Sequence, residues 1–248
     1  MSAPSVQDFT VLANDPVARG VYRLELAGNT VGLTNAGQFV NVQVPGFYLK
    51  RPFSIASVHP GRLQLIYKVL GEGTAELTNV PPGTVLQVLS GLGNGFEIAP
   101  ALTPVVIGGG VGVVPLYSLV EELLASGQTP QVIYGFNTAE EIFLAEQTAA
   151  LGVNTLVATV DGTAGVQGFV TDALPHLQYA PDYFYACGPT PMLRALATAL
   201  PETPGQFSLE ERMGCGFGAC VGCAVPTNAG IQRVCKEGPV FTREQLEW

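Results

Sequence analysis

The chain has 248 residues, of which 47% are hydrophobic and only 12% charged, with 20 acidic against 11 basic side chains and a formal charge of −9. This composition excludes an intrinsically disordered chain, and a sequence pI near 4.6 argues against a nucleic-acid partner, which requires a basic face. The length allows one large domain or two compact ones, and the five cysteines raise a question of redox compartment that their positions must answer.

Residues 1–10 are polar and include Asp8, without the basic start and apolar run of a secretory leader. From Val6 to Glu97, short β-like runs at 21–26, 39–44, 63–69 and 84–89 are punctuated by Gly, Pro and Asn. They predict a small antiparallel barrel or sandwich, with one helical insertion over 74–79 after Gly73. Residues 98–120 are uncharged, but Pro100, Pro104, Pro115, Gly108, Gly109, Gly110 and Gly112 make them a poor spanning helix. A cytoplasmic protein with no membrane contact is expected.

From 102 to 211 the rhythm changes. Strand-like runs at 104–108, 131–135, 155–160, 183–186 and 206–209 alternate with helical segments at 115–125, 139–150, 169–177 and 191–200. Such alternation predicts a doubly wound parallel sheet. The organisation is then 1–98 barrel, 99–211 α/β domain and 212–248 a third unit holding four of the five cysteines.

Cys215, Cys220, Cys223 and Cys235 have the spacing C-x4-C-x2-C-x11-C. This is the plant-type pattern for a [2Fe–2S] cluster. The interleaved Gly214, Gly216, Gly218 and Gly222 let the backbone curl and aim N–H groups at sulfur. Zinc also takes four cysteines, although its ribbons pair two C-x2-C knuckles and one occurs here. Disulfides are the third possibility.

Two further runs carry chemistry. In the barrel, Arg51-Pro52-Phe53-Ser54 combines a phosphate partner, a ring cover and a hydroxyl, and Gly73-Thr74 opens a helix whose N–H groups suit a pyrophosphate. The same residues also make an ordinary strand and turn. In the second domain Gly108-Gly109-Gly110-Val111-Gly112 follows a strand and opens a helix with Pro115 in its first turn, the setting of a dinucleotide phosphate loop or of a tight turn. The strict G-x-G-x-x-G fingerprint is absent. Asp161, at the end of the third strand of the domain, favours NAD over NADP, or is a solvated turn residue. Cys187 ends a strand at the edge where such sheets bind ligands, or packs as a small hydrophobe. His59 and His176 read as surface turn residues, and no hydrolytic triad is present.

Taken in order, RPFS at 51–54, GEGT at 71–74, GGGVG at 108–112 and CGPTPM at 187–192 resemble the ferredoxin–NADP reductase superfamily. The tail, EERM at 210–213 leading into the cysteines and RVCKEGPVF at 233–241, is similar to one branch, the electron-transfer subunits of NAD-dependent two-subunit dihydroorotate dehydrogenases. The resemblance spans essentially the whole chain. It implies an FAD-binding β-barrel, an NAD-binding α/β domain and a C-terminal [2Fe–2S] domain.

By this resemblance Arg51 binds the flavin pyrophosphate within the Arg51-Pro52-Phe53-Ser54 run, and Ser54 lies near the reactive flavin edge. Ile66, Tyr67 and Lys68 line the flavin, Gly73 and Thr74 cradle its phosphates, and Cys187 approaches the nicotinamide. Gly108, Gly109, Gly110, Gly112 and Asp161 serve NAD. Phe53 departs from the Tyr common in the superfamily, and the loop at 90–96 departs from one that commonly begins Gly-Pro. The implied activity is electron transfer between NAD and an FMN-binding catalytic dihydroorotate dehydrogenase subunit, in pyrimidine biosynthesis, within a heterotetramer of two of each subunit. NADH yields two electrons at once and the cluster accepts one, so FAD stands between them. The same modules could instead serve a hydrogenase or another ferredoxin-linked flavoenzyme, and a zinc-stabilised nucleotide-binding module is the non-enzymatic alternative. Trp248 could pack at a docking surface or merely cap the last unit.

Overall fold

A computed structural model describes residues 4–33 and 36–247; Trp248 lies outside the described residues. Six strands close a barrel: β1 (Ser5–Ala18), β2 (Val21–Ala27), β3 (Phe39–Val42), β4 (Arg51–His59), β5 (Arg62–Lys68) and β6 (Val85–Leu92), in the order β1-β2-β5-β4-β3-β6. Every pairing is antiparallel. Alternation along each strand fills the interior with Phe9, Leu24, Leu26, Val40, Val42, Phe53, Leu65 and Val88. The barrel form excludes the sandwich, and α1 (Glu72–Leu77) is the predicted insertion, begun two residues early.

The second domain is a seven-stranded sheet. Its strands are β7 (Pro104–Gly109), β8 (Gln131–Phe136), β9 (Thr155–Thr159), β10 (Val166–Gln167), β11 (Tyr183–Cys187) and β12 (Gly205–Ser208), joined by β15 (Val240–Thr242) from the tail. The order β10-β9-β8-β7-β11-β12-β15 is parallel except for β15, which pairs antiparallel with β12. Helices α2 (Val113–Ala125), α3 (Ala145–Ala150), α4 (Val170–Ala173) and α5 (Thr190–Ala199) cover the sheet. Val106, Val132 and Tyr185 face one core with α2, whereas Val105, Ile107, Ile133 and Phe184 face the other with α5. This two-sided burial is why the strands read as continuous apolar runs.

Two predicted helices are broken. Residues 139–150 form a 3₁₀ turn over Ala139–Glu141, an extended Ile142 and a left-handed Leu144 before α3. Ion pairs from Glu140 and Glu141 to the barrel hold the first turn, while Ile142 and Leu144 turn inward against the core. Residues 169–177 divide into α4 and a 3₁₀ turn, Leu174–His176, with Pro175 at its start.

The tail carries the hairpin of β13 (Ala224–Thr227) and β14 (Gly230–Arg233) before returning to the sheet as β15. Arg243 then donates to the carbonyls of Ala197, Leu200 and Thr203 at the end of α5. The predicted third unit thus completes the edge of the second domain's sheet. Among the described residues, no helix is long and apolar enough to cross a membrane.

Candidate functional site

One cavity of about 270 Å³ opens on the outer face of the barrel. In β4, alternation turns Pro52 and Ser54 outward while Phe53 and Ile55 face the barrel interior. Phe53 packs its ring 5.5 Å from that of Tyr67 in the core and also borders the cavity. Ile66, Tyr67 and Lys68 border the same cavity. Tyr67 itself is buried, and its hydroxyl donates to Asn14 at 3.0 Å. Burial pushes its pKa to about 12, so it stays a neutral wall.

Arg51 borders the cavity with its guanidinium against Gly73 in the first turn of α1. A Cβ at Gly73 would lie 2.6 Å from Arg51 Nε, so glycine is what admits the cation there. Arg51 also donates to the carbonyl of Leu49 and lies 5.1 Å from the Phe47 ring centroid. Thr74 Oγ1 is spent within the turn: it accepts from the N–H of Leu70 at 2.9 Å and of Gly71 at 3.1 Å. What it leaves for an anion at this turn is backbone N–H and not the hydroxyl.

A second cavity, of about 590 Å³, lies at the C-terminal ends of the parallel strands, where the sheet order reverses between β7 and β11. This switch point is where such sheets hold nucleotides. Gly109, Gly110 and Val111 line it on one side and Pro189, Pro191 and Met192 on another. Gly110 has φ +55, a left-handed turn that a side chain would strain. Gly112 is needed for a different reason: a Cβ there would lie 2.3 Å from the carbonyl oxygen of Cys187. Gly108 is buried at the end of β7, behind the loop.

The structure does not bring every predicted residue to a cavity wall. Cys187 is buried beneath Gly112, paired in register with Ser208. Burial, reinforced by the Glu210 carboxylate and opposed by a hydrogen bond from Ser208, raises its thiol pKa well above the ordinary value. It is a neutral group behind the wall, whereas Ser208 lines the first cavity. Asp161 is exposed on the turn after β9, and its Oδ1 accepts from Thr163 N–H and hydroxyl at 3.1 and 2.6 Å. Val160 beside it lines the second cavity. His59 and His176 are both exposed, the former ending β4 and the latter a 3₁₀ turn.

The two cavities share Lys68, Leu70, Val111 and Glu210. Glu210 follows β12 and is exposed at the cleft, where the surrounding protein still desolvates its carboxyl enough to raise its pKa. Lys68 reaches from the barrel to Glu141 Oε1 at 3.1 Å, and Asn137 donates to Glu141 Oε2 at 2.9 Å. Desolvation raises the Glu141 pKa, but Lys68 and Asn137 outweigh it and leave it below the ordinary value. Glu141, Asn137 and Met213 carried no site role from sequence; the position of Glu210 beyond a parallel strand was the signal that could have found that residue.

Met213 lines the first cavity, and the cysteine loop begins two residues later. The thiols stand in two pairs. Cys220 N–H points to Cys215 Sγ at 3.4 Å, and Cys235 N–H to Cys223 Sγ at 3.5 Å. Desolvation raises the Cys215 pKa, but N–H donors from Cys220, Phe217 and Ala219 outweigh it and bring it to about 6. Burial, with Cys223 close by, pushes Cys235 to about 12. Gly216 and Gly218 take φ of +77 and +89, and Arg233, held by Glu237, donates to the Gly218 carbonyl. All four cysteines are free, and among the described residues no three His, Cys, Asp or Glu side chains gather around one metal ion. Four free cysteines in the plant-type spacing, with backbone N–H groups aimed at their sulfurs, fit a [2Fe–2S] cluster as its donor set.

Comparison with known proteins agrees with this geometry. Residues 210–247 match the iron–sulfur cluster binding domain of dihydroorotate dehydrogenase B, and residues 106–198 match an oxidoreductase NAD-binding domain. The chain is 39% identical, over 96% of each sequence, to the electron transfer subunit of dihydroorotate dehydrogenase B (NAD(+)) from Bacillus pumilus (strain SAFR-032). It is 41% identical to the subunit of the same name from Geobacillus sp. (strain WCH70), over 95% of this chain and 96% of the relative. Among solved structures, a chain of an NADH-dependent reduced ferredoxin–NADP oxidoreductase, described in terms of flavin-based electron bifurcation, superposes with a TM-score of 0.89 at 28% identity. That match covers 100% of this chain and 92% of the other.

Proposed function

The chain belongs to the family of electron-transfer subunits of NAD-dependent dihydroorotate dehydrogenase B, and from that footing we propose that it carries electrons, in pyrimidine biosynthesis, between NAD and an FMN-binding catalytic partner subunit. It is an NAD-linked oxidoreductase subunit with FAD, a [2Fe–2S] cluster and NAD(H) as its redox groups. The observation that carries the reading is continuity: the nucleotide cavity and the barrel cavity share four lining residues, and the barrel cavity runs by Met213 to the cysteine loop.

When bound, NAD exchanges a hydride, the cluster exchanges single electrons, and FAD, able to do both, stands between them. The protein's part is to bind, orient and exclude water. Arg51 and the N–H groups around Gly73 hold the anionic part of the flavin, and Pro52 and Ser54 face it. Gly109, Gly110 and Val111 let the backbone approach the nucleotide phosphates. Leu70, Val111, Val114 and Met213 shield the shared region. Cys215, Cys220, Cys223 and Cys235 would hold the cluster, which would supply one-electron exchange. Asp161 favours NAD by placing an acid where a 2′-phosphate would bind. The assembly is two of each subunit in the cytoplasm, where reduced thiols persist, and electrons flow there from dihydroorotate toward NAD.

Anaerobic purification tests the reading. Flavin absorbance, bleaching by NADH and a [2Fe–2S] EPR signal after reduction are expected, as is co-purification with an FMN-binding barrel subunit. A colourless, zinc-containing protein overturns it.

A further inference from the structure

Between the barrel cavity and the cysteine loop stands one buried amide. Asn41 lies on β3, two residues from Phe39 and opposite Pro52 in register, and both of those residues line the barrel cavity. Alternation therefore puts Asn41 on the outer, cavity-bearing face of the barrel, while Val40 and Val42 fill its interior. Asn41 is 1% exposed. Its Nδ2 donates to the carbonyl oxygen of Cys215 at 3.3 Å, a bond between residues 174 positions apart. The fit is close: a Cβ at Gly216 would lie 1.9 Å from that Nδ2.

Its other end is costly. Asn41 Oδ1 is buried and makes no hydrogen bond among the described residues. An unpaired buried acceptor is unfavourable, and an aliphatic side chain of the same size would avoid it. The half of the amide that is used ties the flavin-bearing face of the barrel to the peptide of a cluster ligand. Met213, two residues before Cys215, lines the barrel cavity from the same end of the loop.

We propose that Asn41 is a positioning residue for electron transfer between flavin and cluster, acting through the Cys215 carbonyl to fix the cluster loop against the barrel. The inference rests on the functional reading above. It predicts that removing the N–H donor loosens the approach of the cluster loop to the flavin face. A carbonyl freed from its donor also presents more negative charge to the cluster, so the cluster becomes harder to reduce.

The test uses holoprotein purified anaerobically, in wild type and in Asn41→Leu and Asn41→Asp. Leucine removes donor and acceptor at similar volume; aspartate keeps the shape but cannot donate when ionised. Stopped-flow absorbance follows flavin reduction by NADH, freeze-quench EPR follows cluster reduction, and a redox titration gives the cluster potential. In both variants flavin reduction should stay within about twofold, while cluster reduction slows at least about fivefold and the potential falls. Cluster reduction at the wild-type rate and potential in both variants overturns the proposal. Loss of cluster from both, with flavin retained, also overturns it, by making Asn41 a purely structural tie. Wild-type protein without flavin or cluster would instead overturn the functional reading on which the proposal rests.

Discussion

Lys68 Nζ of the barrel lies 3.1 Å from Glu141 Oε1 of the α/β domain, so one ion pair spans the cleft where the two cavities meet. Only 26% of the Lys68 side chain and 11% of that of Glu141 are exposed, and Arg19 Nη2 approaches the same carboxylate oxygen at 3.6 Å. Glu141→Gln should cost about 1 kcal/mol and lower Tm by about 2–4 °C. Because the carboxyl pKa lies below its ordinary value of 4.5 in the folded state, the stabilisation is full above that value and is lost as pH falls through the folded one. Melting curves of both proteins should converge in acid; a constant gap at every pH would count against the ion pair.

Cys220→Ser and Cys235→Ser remove one member of each thiol pair. Each variant should lose most of its iron and the EPR signal of the reduced cluster, and both should retain flavin. Iron and flavin analysis of one preparation decides this. Full iron content in either variant would show that the pairing seen at Cys215 with Cys220 and Cys223 with Cys235 is not the ligand arrangement.

Arg51→Gln removes the cation that rests on Gly73 while keeping a polar side chain. Loss of a charge-assisted hydrogen bond costs about 1.5–3 kcal/mol, or roughly tenfold to a hundredfold in flavin affinity. Flavin fluorescence released on serial dilution measures it. An unchanged affinity would move the anionic end of the flavin away from α1.

Glu210 lines both cavities, and its raised pKa gives the opposite sign from Glu141. A carboxyl raised above its ordinary value stabilises the fold below that value, and the advantage is lost as pH rises through the folded pKa. Glu210→Gln should therefore match wild type near pH 4 and exceed its Tm by about 1–2 °C near pH 8, the gain being small because cleft water screens the charge. A lower Tm for the variant at pH 8 would indicate an attractive partner for the carboxylate.

Gly112 has φ −63, a conformation any residue adopts, so Gly112→Ala isolates the steric contact with Cys187. Overpacking against backbone costs about 1–3 kcal/mol. The loop must shift, and KM for NADH should rise several-fold with flavin content unchanged. Steady-state reduction of an artificial acceptor reads this out, and an unchanged KM would detach the loop from nucleotide binding.

The parts legible from sequence were those whose chemistry is local. The cysteine spacing, the Arg51-Pro52-Phe53-Ser54 run and the glycine turn after β7 each lie within a few consecutive residues. The face that Phe53 takes was not legible, because a residue's type does not reveal which side of a barrel it occupies; register does. Glu141, Asn41 and Arg243 were invisible for a related reason. Their partners, Lys68, Cys215 and the end of α5, lie 73, 174 and 40–46 positions away or are reached only after the sheet is assembled. The helix expected over 139–150 failed where Glu140 and Glu141 are claimed by the barrel, a tertiary demand stronger than propensity.

The return of the tail has a consequence for rearranging this chain. β15 supplies the outermost rung of the sheet, Leu209 N–H reaches the Pro239 carbonyl at 2.9 Å, and Asn94 of the barrel receives Val240 N–H at 3.0 Å. A chimera that exchanges only the cysteine-bearing segment must therefore cut on both sides, after Glu211 and before Gly238, and leave β15 in place. Truncation at 211 would strip a rung from the sheet, bare Phe207 and Leu209 and leave a sticky edge prone to self-association. The electron exit is built as a loop inserted in a sheet that closes behind it, not as a bead strung at its end.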